Sequence, residues 1–293
     1  MKRIITLLLA LFVASTSFAQ QSITLEDIWV KGTFRGKGIA GIRSMNDGKH
    51  YCILTQNAIE KYDYAKASKV GEVVNFSGLD LKGYVVDYQF SKDESKVLLI
   101  LNPEMIYRHS YLANVFVYDI ASKKLTSVAE QKIRLAEFSP NSQKVAYVSN
   151  NNIFIFDIAS MQTKQITTDG EYNHIINGTT DWVYEEEFAI TKGFFWSNDS
   201  EKIAYYKFDE SKVKQFSMTM YGDLYPMEYV YKYPKAGEDN SVVEIFVYDL
   251  KNDKTNHIDM GLNKDIYLPR LQWTPNDEVF IHKLNRHQNQ IQP

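Results

Sequence analysis

An all-β fold, a β-propeller of four-stranded antiparallel blades, is predicted by two recurring motifs and by the distance between their copies. The first motif is an aromatic residue, a Ser or Thr, a polar turn and then an apolar strand. Clear copies begin at Phe90, Phe138 and Trp196, and weaker ones at Met45 and Trp273. The step from 90 to 138 is 48 residues and that from 138 to 196 is 58. Propeller blades of about 40 to 50 residues with loop insertions have this spacing.

The second motif is a strand of β-branched and aromatic residues that ends in Asp and runs into a polar turn. It ends at Asp119, Asp157 and Asp249. Together, the two motifs alternate strands and tight turns so that four strands form one antiparallel unit. An open sandwich of unrelated hairpins is the alternative. Motifs repeated in a fixed order favour the propeller, because such order is typical of repeat folds.

The repeat also predicts where the propeller departs from a plain array. The step from 196 to 273 is 77 residues, which is too long for one blade, and its excess lies in the Tyr- and Met-rich stretch 207–240. We expect an extended arm there. About five blades begin, and the last starts at Trp273, 20 residues before Pro293. Because missing blades would expose strand edges, the pattern indicates an incomplete propeller from a truncated gene or a partial sequence.

The N-terminus has the pattern of an export signal. Lys2 and Arg3 precede an apolar run over 4–13, and small residues stand before Gln20. We therefore expect a signal peptide over 1–19 and a propeller domain over 20–293, exported to a periplasm or a cell surface. An uncleaved anchor is the alternative. No later run is long and apolar enough to cross a membrane, so no span is expected after cleavage.

Charge and motif content exclude several function classes. The net charge is −3 and no Lys/Arg block occurs, so no nucleic-acid partner is expected. Cys52 is the single cysteine and lies in an apolar run, which predicts a buried thiol and no intrachain disulfide. The six His lack metal-ligand spacing, and no cofactor or metal site is expected. No Gly-x-Ser-x-Gly occurs, so these residues contain no nucleophile elbow.

The segment DWVYEEEF, residues 181–188, interrupts the strand pattern. Three adjacent carboxylates repel one another and need solvent or a cation. Consecutive residues of a strand face opposite ways, whereas on a helical turn they diverge by only about 100°, so two carboxylates can reach one ammonium group. We predict a short acidic helical turn capped by Thr180 or Asp181. A solvated acidic turn without a ligand is the alternative.

This segment resembles the acidic-helix motif of the dipeptidyl peptidase IV family, and residues 108–111, RHSY, resemble the arginine-bearing loop of that family. The resemblance extends in order from about residue 29 to 290. It implies that Glu186 and Glu187 hold the free N-terminus of a peptide and that Arg108 binds a carbonyl near it. Glu185 is then the neighbour that does not touch substrate. From the residues alone, a surface salt bridge is the alternative for Arg108.

The resemblance implies a substrate-selecting propeller of an exported serine exopeptidase that releases X-Pro or X-Ala dipeptides. The Ser-Asp-His triad of that family belongs to a C-terminal α/β-hydrolase domain, so we expect no catalytic residue here and no hydrolysis by this chain alone. Peptides with a free N-terminus are the expected partners, and a homodimer is expected of the full-length protein. The alternatives are a prolyl tripeptidyl-type fragment, a non-catalytic peptide- or protein-binding propeller, and a fragment that does not fold.

Overall fold

The structure is a computed structural model that describes residues 22–36, 38 and 41–293. The predicted signal peptide, 1–19, lies outside the described residues. The chain divides into two compact units, residues 1–39 and residues 40–293. The described part of the first unit contains helix α1, Leu25–Trp29. Thr24 and Asp27 form a reciprocal capping box at its start, which satisfies two backbone N–H groups.

Antiparallel strands make up most of the second unit. In the part of the chain that the structure describes, they form five successive sheets and one separate two-stranded hairpin. Grouped by sheet, with the hairpin last, the strands are β1 Arg43–Ser44, β2 His50–Leu54, β3 Ala58–Asp63 and β4 Ser68–Asn75; β5 Val85–Phe90, β6 Lys96–Met105, β7 Tyr111–Asp119 and β8 Leu125–Ser127; β9 Arg134–Phe138, β10 Lys144–Ser149, β11 Asn152–Asp157 and β12 Gln162–Gln165; β13 Ile175–Asn177, β14 Phe194–Trp196, β15 Lys202–Asp209, β18 Val242–Asp249 and β19 Lys254–Ile258; β20 Ile266–Trp273, β21 Val279–Asn285 and β22 Ile291–Gln292; and β16 Gln215–Met220 with β17 Met227–Lys232.

Each pair of consecutive sheets encloses one apolar cluster, so the sheets pack face to face in chain order. Strand β6 shows how one sheet serves two clusters. Val97 and Leu99 contribute to the cluster with the first sheet, and Leu98 to the cluster with the third. All three are 0% exposed, because successive side chains of a strand point to opposite faces and both faces are covered. The predicted β-propeller, with five blades begun, is confirmed.

The repeated turn has the same hydrogen bonds in each clear copy. The serine hydroxyl donates to the side chain two positions later and accepts the N–H five positions later, which holds the strand entry in place. The donations are Ser91 to Asp93 at 2.6 Å, Ser139 to Asn141 at 2.7 Å and Ser197 to Asp199 at 2.5 Å. In the weaker copies, the N–H of Gly48 donates to Met45 and that of Asp277 to Thr274, both at 3.1 Å. Each of the five sequence copies therefore forms the turn that leads from the first strand of a sheet into the next strand.

The first strand of the fourth blade is split in two. Strands β13 and β14 both pair with β15, and helix α2, Trp182–Phe188, lies in the segment between them. The N–H of Gly178 donates to the carbonyl of Tyr206 at 3.0 Å, and the N–H of Tyr206 donates to the carbonyl of Gly193 at 2.8 Å. The chain thus leaves and re-enters the blade opposite one residue of β15, and the ladder continues across the insertion.

The predicted arm is present within the stretch 207–240. It is the hairpin β16–β17, inserted between β15 and β18, and every residue of β16 is exposed. Cys52, in β2, is 0% exposed, as expected from its apolar neighbours, and burial raises the pKa of its thiol to about 11. Cys52 is therefore a structural core residue. Among the described residues, no helix is long and apolar enough to cross a membrane.

Candidate functional site

Helix α2 begins at a buried cap. Asp181 accepts the N–H of Tyr184 at 3.0 Å and the hydroxyl of Ser241 at 2.7 Å. Burial raises the pKa of the Asp181 carboxyl, and these hydrogen bonds oppose that shift. Thr180, the other predicted cap, instead donates its hydroxyl to the carbonyl of Ile190 at 2.7 Å. The cap is therefore Asp181, while Thr180 joins the two ends of the helical segment.

One face of α2 is fixed in the apolar cluster between the fourth and fifth blades. Tyr184 is 2% exposed, and its ring lies 4.9 Å from that of Phe208. Its hydroxyl accepts the N–H of Leu268 at 2.8 Å. Phe188, one turn later on the same face, packs 5.3 Å from Tyr267. Because this face is held in the core, the three glutamates between Tyr184 and Phe188 have fixed directions.

The three glutamates have different surroundings. Glu185 is 0% exposed, and its Oε1 accepts the backbone N–H groups of His109 at 2.8 Å and Ser110 at 3.0 Å. The side chain of Glu186 is 15% exposed, and Glu187 is exposed. No ion pair of Glu187 forms within the described part of the chain. The rotation of about 100° per helical residue separates a structural glutamate from two accessible ones.

Arg108 comes to this helix from the second blade. It lies in the loop 106–110 between β6 and β7, called here the arginine loop. Its Nε is 3.5 Å from Oε2 of Glu186, and its side chain is 74% exposed. The structure thus brings together Arg108 and Glu186 of the predicted site, with Glu187 at the next helical position. The distance is longer than a usual charged hydrogen bond, so the contact is a loose ion pair.

Sequence reasoning missed two buried charged groups beside this site. Nε and Nη2 of Arg134, in β9, are buried and make no hydrogen bond to described residues. Burial lowers the pKa of this guanidinium, and the charge of Glu185 opposes the shift. Glu210 is 6% exposed, and burial, followed by repulsion from Asp181, raises its pKa to about 7. A basic residue between Ile133 and Leu135 was the available signal for Arg134.

Both missed residues border one cavity next to the arginine loop. Its volume is about 330 Å³, and its lining includes Tyr107, Arg134, Tyr172, Thr180 and Glu210. The lining combines aromatic rings with charges of both signs. Among the described residues, no group of three or more His, Cys, Asp or Glu side chains is arranged to hold a metal ion.

Comparison with known proteins places this geometry in a family. Residues 91–292 match the model of the dipeptidyl peptidase IV (DPP IV) N-terminal region. Dipeptidyl aminopeptidase B of Saccharomyces cerevisiae is 34% identical over 204 residues, covering 67% of this chain and 25% of the yeast protein. Dipeptidyl peptidase 4 of Felis catus is 31% identical over 290 residues, covering 92% of this chain and 37% of the cat protein.

A solved structure also matches most of this chain. The crystal structure of Porphyromonas gingivalis dipeptidyl peptidase 4 superimposes with a TM-score of 0.87 and 38% sequence identity. The match covers 93% of this chain and 40% of that structure. The chain therefore spans between a quarter and two fifths of the length of these relatives. The resemblance found in the sequence is confirmed, and the chain belongs to the family of the dipeptidyl peptidase IV N-terminal region.

Proposed function

We propose that this propeller selects peptides by their free N-terminus, as part of an exported serine exopeptidase of the dipeptidyl peptidase IV type. Glu186 and Glu187 bind the peptide's ammonium group, and Arg108 binds a carbonyl near it. One observation carries the proposal. Arg108 Nε and Glu186 Oε2, contributed by different blades, lie 3.5 Å apart where Glu187 is also accessible. This arrangement offers a cation-binding pair of carboxylates beside a donor for carbonyl oxygen.

The loose ion pair suits a site that must exchange partners. Because the Arg108 side chain is mostly exposed and its contact with Glu186 is long, the pair contributes only about 0 to 1 kcal/mol, and an incoming ammonium group displaces Arg108 from Glu186 at little cost. Hydrogen bonds between charged partners are about twice as strong as neutral ones, which favours the ammonium group between two carboxylates. The released guanidinium of Arg108 is then free to donate to a peptide carbonyl with its fixed fork of N–H groups.

The anchor sets where a peptide would be cut. The relatives carry the names dipeptidyl peptidase 4 and dipeptidyl aminopeptidase B, which describe removal of two residues from one end. Holding the N-terminus at Glu186 and Glu187 places the second peptide bond at a fixed distance, and X-Pro and X-Ala are the proposed dipeptides. Acyl transfer by a Ser-His-Asp triad, outside these 293 residues, would break the bond. The propeller would supply proximity and orientation.

Binding by the 293-residue chain tests the anchor directly. Calorimetric titration with the tetrapeptide Ala-Pro-Ala-Ala and with its N-acetylated form compares a charged and a blocked N-terminus. We expect only the free peptide to bind, and Glu186→Gln or Glu187→Gln to weaken binding by roughly 10- to 100-fold through loss of a charged hydrogen bond. Glu201→Gln, at an exposed glutamate of a blade turn, is the matched control. Equal binding of the acetylated peptide would refute the proposal.

Coding sequence beyond the codon for Pro293 separates an enzyme from a binding module. An open frame that encodes Gly-x-Ser-x-Gly, with hydrolysis of Gly-Pro and Ala-Pro chromogenic substrates by its product, supports the exopeptidase. Release of tripeptides instead would assign the prolyl tripeptidyl alternative. A stop codon together with peptide binding by the folded chain would leave a non-catalytic propeller as the function.

A further inference from the structure

We infer that Glu185 is a positioning residue, which holds the arginine loop so that Arg108 meets the peptide anchored at Glu186 and Glu187. This inference rests on the proposed function and extends it to a residue that touches no substrate. The contact that carries it joins residues 75 and 76 positions apart. Oε1 of Glu185 accepts two consecutive backbone N–H groups, those of His109 and Ser110, at 2.8 and 3.0 Å.

The contact fixes the backbone of the loop. Two amides bonded to one oxygen restrict the peptide planes on both sides of His109, and one of those planes contains the carbonyl of Arg108. A second bond closes the loop, from the N–H of Ile106 to the carbonyl of Ser110 at 2.9 Å. The arginine loop is therefore held both by its own hairpin and by a side chain of the fourth blade.

The side chain of Arg108 is only weakly held by its own contacts. Its side chain is 74% exposed, so packing does not restrict it, and its ion pair with Glu186 is 3.5 Å long. The position from which its side chain starts is set by the backbone that Glu185 holds. A small displacement of a binding group has a large effect on orientation-dependent recognition, and side chains locked by supporting contacts give the most accurate sites.

The surroundings of Glu185 separate it from the peptide. The side chain is 0% exposed, one oxygen is occupied by the loop, and Oε2 is buried without a hydrogen bond from described residues. A buried carboxylate needs compensating charge. The guanidinium of Arg134, also buried, supplies the nearby positive charge. Glu185 thus serves the loop, while the accessible Glu186 and Glu187 serve the ligand.

Glu185→Met and Glu185→Gln distinguish this role. Methionine is similar in length and removes both acceptors, so it frees the loop. Glutamine keeps a carbonyl oxygen that accepts the same two N–H groups, so it retains most of the loop contact. We expect Glu185→Met to weaken binding of Ala-Pro-Ala-Ala about tenfold, and Glu185→Gln to weaken it less than about threefold.

A double-mutant cycle with Arg108→Ala tests whether Glu185 acts through Arg108. If it does, Glu185→Met lowers the affinity less than about twofold once Arg108 is already alanine. Additive losses would show a general structural effect and overturn the inference. Glu201→Gln again serves as the control, because its side chain is exposed in a blade turn that belongs to neither the loop nor the helix.

Amide hydrogen exchange of the folded chain, measured for the segment 106–111, tests the loop contact without any peptide. Exchange should rise at least about tenfold in Glu185→Met, rise less in Glu185→Gln, and stay unchanged in Glu186→Gln. Unchanged exchange in both Glu185 variants overturns the inference. If Glu185→Met does not fold, Glu185→Gln decides alone, because its weaker acceptor must still raise exchange above wild type. If the wild-type chain binds the free and the N-acetylated peptide equally, the proposed function is refuted. The exchange result still tests the loop contact, because it is measured without peptide.

Discussion

The N–H of Gly193 donates to the carbonyl of Gly178 at 3.0 Å, so the two ends of the site-bearing segment meet at one point of the fourth blade. Both glycines also bond to Tyr206 of β15. The insertion therefore interrupts the sequence of the strand but not its hydrogen-bond ladder. This is how a blade carries a helix with three glutamates while its sheet remains continuous and its core remains packed.

Gly178→Ala should destabilise the propeller by about 2 kcal/mol or more. The backbone φ at Gly178 is +75°, and an added Cβ would lie 2.5 Å from Cγ1 of Ile153. Gly237→Ala is the matched control, with φ +83° and open space around an added Cβ, so it should cost only about 1 kcal/mol from backbone strain. Urea denaturation measures both. Equal losses in the free energy of unfolding would show that the contact with Ile153 adds nothing to the cost of backbone strain.

Tyr184→Phe and Tyr206→Phe should change stability differently, although both rings lie in the same cluster. The Tyr184 hydroxyl accepts the N–H of Leu268, and its loss leaves a buried donor unpaired, at a cost of about 1 to 3 kcal/mol. The Tyr206 hydroxyl is buried without a hydrogen bond from described residues. Its removal should be neutral or stabilising. The two free energies of unfolding from urea denaturation test this, and equal destabilisation would contradict it.

Much of the fold was predictable because it depends on local, repeated chemistry. The serine of each clear turn bonds to its own neighbours, within five residues, so the first turn of these three blades is visible in the sequence. The same holds for the acidic helix, whose cap Asp181 and first turn are adjacent in the chain. The arm was predicted only as an excess of length, and the pairing of its strands β16 and β17 was not assigned from the sequence.

The site was predictable in part, since its composition is local and its supports are not. Glu186, Glu187 and Arg108 were named as candidates from short motifs. The loop-holding contact of Glu185 joins two blades, and no motif encodes the register between blades. The pKa values of Arg134 and Glu210 are shifted by burial, which comes from residues distant in the sequence. Such contacts follow from the packing of sheets, which repeats alone do not determine.

Arg108→Ala should separate ligand binding from stability. The side chain is 74% exposed and its ion pair with Glu186 is long, so the free energy of unfolding should change by less than about 0.5 kcal/mol. Binding of Ala-Pro-Ala-Ala should weaken about tenfold, because a charged donor to the peptide carbonyl is lost. Arg108→Lys should recover only part of this, since lysine lacks the planar fork. Denaturation and calorimetry provide the two measurements, and a large stability loss would assign Arg108 a structural role.

Glu210 should make the propeller less stable as the pH rises from about 4.5 to about 7. Burial first, and then the negative charge of Asp181, raise the pKa of its carboxyl from 4.5 to about 7, whereas Lys232 opposes the shift. A group with a raised pKa in the folded state stabilises it below the unfolded pKa and loses that contribution as the pH rises through the folded pKa. The charge of Asp209 raises the pKa of Glu210 further, and that of His174 lowers it.

Glu210→Gln removes this titration while keeping the size of the side chain. The variant and the wild type should differ by a constant amount below about pH 4.5, and above pH 7 the variant should gain up to about 3 kcal/mol relative to that baseline. Urea denaturation between pH 4 and 8 measures the difference, and Glu201→Gln controls for loss of an exposed carboxylate. A difference that does not change with pH would mean that Glu210 titrates as an ordinary carboxyl. Because Glu210 lines the cavity beside the arginine loop, a confirmed shift would also show that this cavity is poorly hydrated in the folded chain.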